Sequence, residues 1–246
     1  MKNIKDICVL PTNNIVITDF ECSLHLFNSQ FICLKTVSGF DKFRFIPNGL
    51  ATSYNQIFIS DSHYNRIIIT DFDVNVQKTF NLLGCGNDQI SKPQGLFWHP
   101  KSGNLYVCDN RNKKLKIFDG NFNLVNCVLF EFKSDKIQIS PTTAFISDST
   151  FIDLNLHIFR LHDWKLLHKY EYTNSLYQIS SHFYSIQFNS FLLCFNSNGN
   201  FINKIDISEI INEVYKKYEV KGMFMLNKSL IFYSHDKRCI KFNMKH

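Results

Sequence analysis

The sequence predicts an all-β protein, a six-bladed β-propeller of four-stranded blades formed by one domain over residues 1–246. Three observations favour this fold class. Short apolar runs alternate with turns rich in Asn, Gly, Ser and Pro, and Phe accounts for 25 of the residues. Aromatic and β-branched side chains favour strands because they pack well on a pleated surface. One pattern is written twice in succession over 47–119, and corresponding Asp residues recur at intervals of about 40 residues, the usual length of a propeller blade.

The duplicated pattern extends over Pro47–Asp71 and again over Pro93–Asp119. Each copy begins with Pro-x-Gly-Leu, continues into an apolar run that ends in Asp61 or Asp109, and finishes with a second apolar run. Pro and Gly turn the chain into the innermost strand, where neighbouring blades crowd together and a side chain at Gly would clash. The Asp that ends the second strand is expected to accept backbone hydrogen bonds in the following turn, as Asx turns do, so its role is predicted to be structural.

The other repeats have the same succession of short strands and turns but fewer residues of the duplicated pattern. Six units are predicted, each a series of short strands separated by turns: 5–38, 43–83, 93–130, 137–172, 176–207 and 220–242. A short helix is expected over 208–217, with Ser208 as its N-cap. The sixth unit lacks a clear outer strand, so the last blade is either three-stranded or part of a longer chain.

Composition narrows the setting of the protein. Charges at Lys2, Lys5 and Asp6 exclude a signal peptide at the start of the sequence, and no run approaches the ~18 apolar residues of a membrane-spanning helix. The eight Cys are scattered singly without metal-ligand spacing. We therefore expect reduced thiols and a cytoplasmic protein with no membrane partner.

The two copies resemble NHL repeats, whose pattern is P-x-G-I-A, G-N-I-Y-V-A-D and x-x-N-x-R-I-x-V-F-D. The matching residues of the first copy are Pro47, Gly49, Leu50, Ala51, Ile57, Phe58, Asp61, Asn65, Arg66, Ile67 and Asp71. Those of the second are Pro93, Gly95, Leu96, Gly103, Asn104, Leu105, Tyr106, Val107, Asp109, Asn112, Leu115, Ile117, Phe118 and Asp119, with Lys113 or Lys114 where Arg is usual.

The resemblance implies a propeller that binds proteins or RNA on one loop face. In tripartite-motif ligases the NHL propeller follows RING, B-box and coiled-coil segments, and this sequence contains none of them. Intrinsic ubiquitin-ligase activity is therefore not expected. Substrate recognition within a ligase assembled from separate chains stays open as a third class of function.

The loop face carries the candidate binding residues. It is predicted to contain the turn after each second strand together with the segment that leads into each unit. Basic groups among aromatic rings suit a protein partner, our first expectation, or single-stranded RNA, the alternative; DNA is not expected. The candidates are Arg44, His63, Tyr64, Arg66, Arg111, Lys113 and Lys114. Arg66 has an alternative role in packing between blades.

An enzyme is not expected from this sequence. Propeller lactonases and the amidating lyase need carboxylate, His or Asn ligands that converge on the central channel. Only Asp6, Gln138 and Gln178 are polar near the starts of the predicted inner strands, and the nine His show no ligand spacing. We therefore predict no catalytic residue, metal site or cofactor.

Overall fold

The computed structural model describes residues 4–40, 43–81, 83–86, 89–148, 155–171, 173–179, 182–187, 191–209, 212, 220–226, 229–234 and 239–243. Within these, the side chains of 40, 43, 44, 81, 173–187 and 220–243 are not described. The chain divides into two compact units, Met1–Asp135 and Lys136–His246. Most of the helix expected over 208–217 lies outside the described residues. In the part of the chain that the structure describes, no helix is long and apolar enough to cross a bilayer.

The first unit contains three four-stranded antiparallel sheets, and in each sheet the strands that follow one another in the sequence are neighbours. The first sheet comprises β1 (Ile4–Val9), β2 (Ile15–Asp19), β3 (Leu24–Phe27) and β4 (Cys33–Val37). A small hairpin, β5 (Gly39–Phe40) and β6 (Phe43–Arg44), leads into the second sheet, β7 (Pro47–Thr52), β8 (Ile57–Asp61), β9 (Arg66–Thr70) and β10 (Val76–Asn81). The third comprises β11 (Pro93–His99), β12 (Asn104–Asp109), β13 (Lys114–Phe118) and β14 (Leu124–Leu129).

The second unit repeats the pattern. Its first sheet, which starts with the last two residues of the first unit, comprises β15 (Ser134–Ile139), β16 (Thr143–Asp148), β17 (Asn155–Arg160) and β18 (Leu166–Glu171). The next comprises β19 (Thr173–Ile179), β20 (His182–Gln187), β21 (Phe191–Phe195) and β22 (Phe201–Asp206). Within the described ranges, β23 (Val220–Leu226), β24 (Ser229–Ser234) and β25 (Cys239–Asn243) form a three-stranded sheet. The four-strand rhythm predicted for the first five repeats is thus confirmed.

In the first unit, the second strand of one sheet is hydrogen-bonded to the first strand of the next. Thr18 Oγ1 donates to the carbonyl of Asn48 (3.0 Å), and Ser60 Oγ donates to the carbonyl of Gln94 (2.6 Å). A Cβ on Gly49 would overlap the Gln94 carbonyl oxygen and lie 2.9 Å from the nitrogen of Leu96. The expectation that Gly is required there by close approach is therefore confirmed. These contacts connect the first sheet to the second and the second sheet to the third.

The cores lie between facing sheets within each unit. Leu26 and Phe45 pack with Ile59 and Ile68 between the first and second sheets, and Phe58 packs with Leu105 and Val107 between the second and third. In the second unit, Phe145 and Ile158 pack against Leu193 and Phe195. The second strands β2, β8, β12 and β16 are almost completely buried, which fits their continuous apolar runs.

Candidate binding face

A buried acid–base pair recurs at the same place in four sheets. Each second strand ends in an Asp, at Asp19, Asp61, Asp109 and Asp148. In each, Oδ2 accepts a hydrogen bond or ion pair from a base on the third strand. The distances are 3.0 Å from His25 Nε2, 2.8 Å from Arg66 Nε, 3.3 Å from Lys116 Nζ and 3.1 Å from His157 Nε2. The predicted equivalence of the four Asp residues is confirmed. Arg66 belongs to the repeat pattern, whereas the pattern did not single out the other three bases, His25, Lys116 and His157.

The other carboxylate oxygen binds the backbone. Asp61 Oδ1 accepts the N–H groups of Ile46 (3.1 Å), His63 (3.2 Å) and Tyr64 (3.5 Å). Asp109 Oδ1 likewise accepts the N–H of Ser91 (2.8 Å). Asp61 and Asp109 therefore each bind the segment that leads into their own sheet, and Asp61 also binds the turn after the second strand. The structural role predicted for these residues is confirmed by the geometry.

Lys116 is the most deeply buried of the bases. Its side chain is completely buried, and its Nζ donates to the carbonyls of Gly86 (2.7 Å) and Gln89 besides pairing with Asp109. A buried ammonium group is tolerated only when it is paired and hydrogen-bonded. Three acceptors meet the three N–H bonds of the group. Lys116 thus holds the segment before β11 against the third sheet.

Two of these carboxylates have a lowered pKa. Burial acts to raise the pKa of Asp19, but the hydrogen bonds from His25 and from the Ser23 N–H outweigh it, so the pKa lies below its ordinary value. In Asp148 burial again opposes the shift, and the hydrogen bonds from His157 and Asn155 lower the pKa. Both carboxylates are therefore held in the ionised form.

The turns between second and third strands lie beside the segments that lead into the sheets. The N–H of Ser62 donates to the Ile46 carbonyl (3.2 Å), and that of Arg111 donates to the Ser91 carbonyl (3.1 Å). Asn65 Oδ1 accepts the N–H of Lys92 (2.7 Å), which connects the second sheet to the third. We define the candidate face as the turns 62–65 and 110–113 with the adjoining segments 45–46, 83–86, 89–92 and 130–133.

Exposed charge on the candidate face is mainly positive. Among its described residues, the exposed charged side chains are one carboxylate, Glu131, and four cations, Lys92, Arg111, Lys113 and Lys133. Lys113 Nζ donates to the Glu131 carbonyl oxygen (3.0 Å), and this hydrogen bond connects the 110–113 turn to the 130–133 segment. Two other acids beside this face, Asp61 and Asp109, are completely buried in their ion pairs.

Two rings stand beside these cations. Tyr64 is 37 % exposed and meets the ring of His63 edge-on, with centroids 4.7 Å apart. The guanidinium carbon of Arg66 lies 5.0 Å from the centre of the Tyr64 ring, and the Arg66 side chain is 9 % exposed. Arg66 therefore supports the ring from within its own sheet, through contacts to Tyr64 and Asp61; the alternative role in packing between blades stays a prediction.

The structure places the seven sequence candidates differently. His63 and Tyr64 are exposed in the 62–65 turn, and Arg111 and Lys113 are exposed in the 110–113 turn. Lys114 is half-buried and lies opposite Asp109 in the strand register. Arg66 is buried. Arg44 pairs with Gly39 in the small hairpin, and its side chain is outside the described part. Lys113 has a positive φ of 54°, as does Asn65 at 53°, so both occupy the left-handed position that ends the turn.

The sequence reasoning missed His25, Lys116 and His157. A signal was present, because each stands between Leu and Leu or Ile in an apolar third strand: Leu24-His25-Leu26, Leu115-Lys116-Ile117 and Leu156-His157-Ile158. A single ionisable residue inside a buried strand requires a partner. Among the described residues, no group of three His, Cys, Asp or Glu is placed to hold a metal ion.

No family model matches the chain, and no curated protein matches it by sequence. Solved structures do resemble it, among them hydrazine synthase from Kuenenia stuttgartiensis, with a TM-score of 0.64 and 11 % sequence identity. That alignment covers 96 % of this chain and 75 % of the other. At this identity the likeness concerns the fold alone: the chain is all-β, with a β-propeller arrangement of four-stranded blades.

Proposed function

We propose that this protein is a non-catalytic binding platform that holds a protein partner on the candidate face. One observation carries the proposal: the cations Lys92, Arg111, Lys113 and Lys133 are exposed, whereas Asp61 and Asp109 of the same region are buried in ion pairs. The turns that carry the cations are also hydrogen-bonded to one another. A fixed, positively charged surface binds with a smaller loss of conformational entropy than a mobile one.

We further propose that the repeats are of the NHL type and that six blades close one propeller. The close approach of the Gln94–Leu96 backbone to Gly49 supports this proposal, because it explains why the Pro-x-Gly pattern has Gly at that position. The Asp61–Arg66 pair supports it as well, since both residues belong to the repeat pattern. In this arrangement the sheet of β23, β24 and β25 provides the sixth blade.

The chemistry of the face favours an acidic segment of the partner. Carboxylates would pair with Arg111, Lys92 and Lys133, and an apolar or aromatic side chain would pack against Tyr64. Exposed ion pairs contribute little to affinity individually, so we expect several to act together. We propose the cytoplasm as the setting, because single scattered thiols remain reduced there.

Single-stranded RNA is the second candidate, and a specific observation favours it. The Tyr64 ring is exposed beside His63 and within a basic region. An aromatic ring next to cations can stack a base while the cations bind the phosphates. The two ligands differ in salt dependence, because phosphate neutralisation releases condensed counterions and makes affinity fall steeply with salt.

The test compares two charge-matched variants. Arg111→Gln with Lys113→Asn removes two positive charges from the face; Asn is the residue at the equivalent turn position, where it tolerates the left-handed backbone. Lys101→Gln with Lys165→Gln removes two exposed charges from other turns and serves as the control. A photo-crosslinking amino acid replaces Tyr64 in each background, so that only molecules on the face are captured.

We expect the unmodified face and the control to crosslink the same proteins from a cytoplasmic extract after nuclease treatment. The face variant should lose most of this crosslinking, and binding of the identified partner should weaken by about tenfold, which corresponds to about 1.4 kcal/mol. If the crosslinks disappear on nuclease treatment and the protein binds an RNA pool with strong salt dependence, RNA and not a protein is the ligand of this face. Equal capture by both variants would contradict the proposal.

A further inference from the structure

The outer strand of the third sheet differs from every other outer strand of the four-stranded sheets. These strands are β4, β10, β14, β18 and β22, each at one end of its sheet. Four of them contain a lysine: Lys35, Lys78, Lys169 and Lys204. Strand β14 reads Leu-Val-Asn-Cys-Val-Leu and contains no charge. Lysine on an edge strand opposes pairing with another strand, and β14 lacks this protection.

Each lysine lies one or two residues after a bulge in its outer strand. Each outer strand has a register shift against its third strand, and Leu34, Gln77, Val125, Leu167 and Ile202 are the extra residues at these bulges. Lys35 and Lys78 follow the bulge by one residue, and Lys169 and Lys204 follow it by two. In β14 these two positions are Asn126 and Cys127.

The edge of β14 is accessible and apolar. Val125 is 57 % exposed and Leu129 is 73 % exposed. The N–H of Cys127 donates to its neighbour's side chain, Asn126 Oδ1, at 2.8 Å. That donor is therefore satisfied by a local side chain, which a carbonyl from an added strand can replace.

The absence of charge along β14 removes the repulsion that would oppose a second copy of this chain as the occupant. In a two-fold antiparallel pair the same strand faces itself, so a charge near the axis meets a like charge, which is destabilising. The lysine in each of the other four strands has this effect, and β14 does not. A register centred on Cys127 also places Val125 of each copy opposite Leu129 of the other. The two-fold axis relates these two contacts, so the apolar pair forms twice.

We propose that two copies of this chain associate through antiparallel pairing of β14 about a two-fold axis at Cys127. Pairing through one short strand buries less area than the roughly 1,200–2,000 Å² of a standard interface. We therefore expect a reversible dimer with a dissociation constant on the order of 10 μM. The C-terminal end of β14 at Leu129 adjoins the 130–133 segment of the candidate face, whereas the proposed axis at Cys127 lies within the strand.

The test is sedimentation velocity of the full chain over a concentration series from about 1 to about 200 μM, a range that brackets the expected constant. The wild type should shift from monomer to dimer. Asn126→Lys introduces the residue found at the equivalent positions Lys35 and Lys78, and it should raise the dissociation constant at least tenfold. Asn121→Lys adds the same charge at an exposed turn position outside the strand and should leave the dimer unchanged.

A crosslink reports the register. Directly opposed hydrogen-bonded residues have Cα atoms about 5.5 Å apart, within the disulfide range of about 4.4–6.8 Å. Oxidation with copper–phenanthroline should join Cys127 of both copies, as mapped by peptide mass spectrometry, and Asn126→Lys should prevent it. A wild type that stays monomeric throughout the series overturns the proposal and leaves this edge to a strand from another protein. A dimer that Asn126→Lys does not weaken overturns it equally.

Discussion

Lys116 Nζ lies 3.3 Å from Asp109 Oδ2, and both side chains are completely buried. The ammonium group also donates to Gly86 and Gln89, and Asp109 accepts from Ser91. The pair therefore joins the third strand, the second strand and the segment that leads into the sheet. It holds in place the 83–86 and 89–92 segments of the candidate face through Gly86, Gln89 and Ser91, although neither side chain reaches the surface.

We expect Lys116→Met to lower the free energy of unfolding by about 3–5 kcal/mol, because it leaves a buried carboxylate and two carbonyls without their cation. Urea unfolding would be followed by the fluorescence of Trp98 in a Trp164→Phe background, so that the signal reports on the first unit. Lys101→Met, at an exposed turn, is the control and should change the value by less than about 0.5 kcal/mol.

A double variant separates the pair from its surroundings. Asp109→Asn with Lys116→Met removes both charges, and it should be less destabilised than the sum of the two single variants. Strict additivity would show that the two residues stabilise the sheet independently, contrary to the ion pair described here.

Gly49 provides a second test, of the contact between neighbouring sheets. We expect Gly49→Ala to destabilise the first unit by at least about 1–3 kcal/mol, because the new methyl group meets the backbone of Gln94, Gly95 and Leu96, which cannot move aside as a side chain can. The same urea measurement applies. Gly120→Ala is the matched control, since its Cβ would meet nothing closer than 3.8 Å. A similar loss in both variants would contradict the steric explanation.

Strand positions could be predicted because their signals are local. The mostly apolar run Ile15–Asp19 forms β2, and Asn198-Gly199 lies in the turn that joins β21 to β22, with Gly199 at φ 80°. Pro-x-Gly also indicated the crowded inner strand correctly at Gly49. Each of these features depends on a few consecutive residues and their backbone preferences.

The ion pairs could not be predicted in the same way, because they depend on the register between strands. Lys114 lies opposite Asp109, as Arg66 lies opposite Asp61, yet Lys116 forms the ion pair. Lys116 lies opposite Val107, two residues along the same face of the sheet, and its long buried side chain reaches Asp109 from there. The choice between Lys114 and Lys116 depends on this register and not on a run of consecutive residues. For the same reason Arg66 was predicted as a surface ligand and lies in the interior.

The lowered pKa values of Asp19 and Asp148 predict a loss of stability in acid. Both have a pKa below the ordinary value of 3.8 in the folded protein, so near that pH the unfolded chain binds more protons than the folded one. Their contribution is complete above the unfolded pKa and is lost as the pH falls through the folded pKa.

We therefore expect the free energy of unfolding to decline steadily as the pH falls from about 5 to about 3. Asp19→Asn removes one of these groups, so it should lower stability at pH 6 and flatten the decline below pH 4; Asp148→Asn should do the same in the second unit. Urea unfolding at each pH gives the slope, and the value at pH 6 is the reference for each variant. The remaining slope belongs to the other carboxylates with lowered pKa, such as Asp71 and Asp206. If Asp19→Asn has the same slope as the wild type, the bonds from His25 and Ser23 do not stabilise the ionised carboxylate.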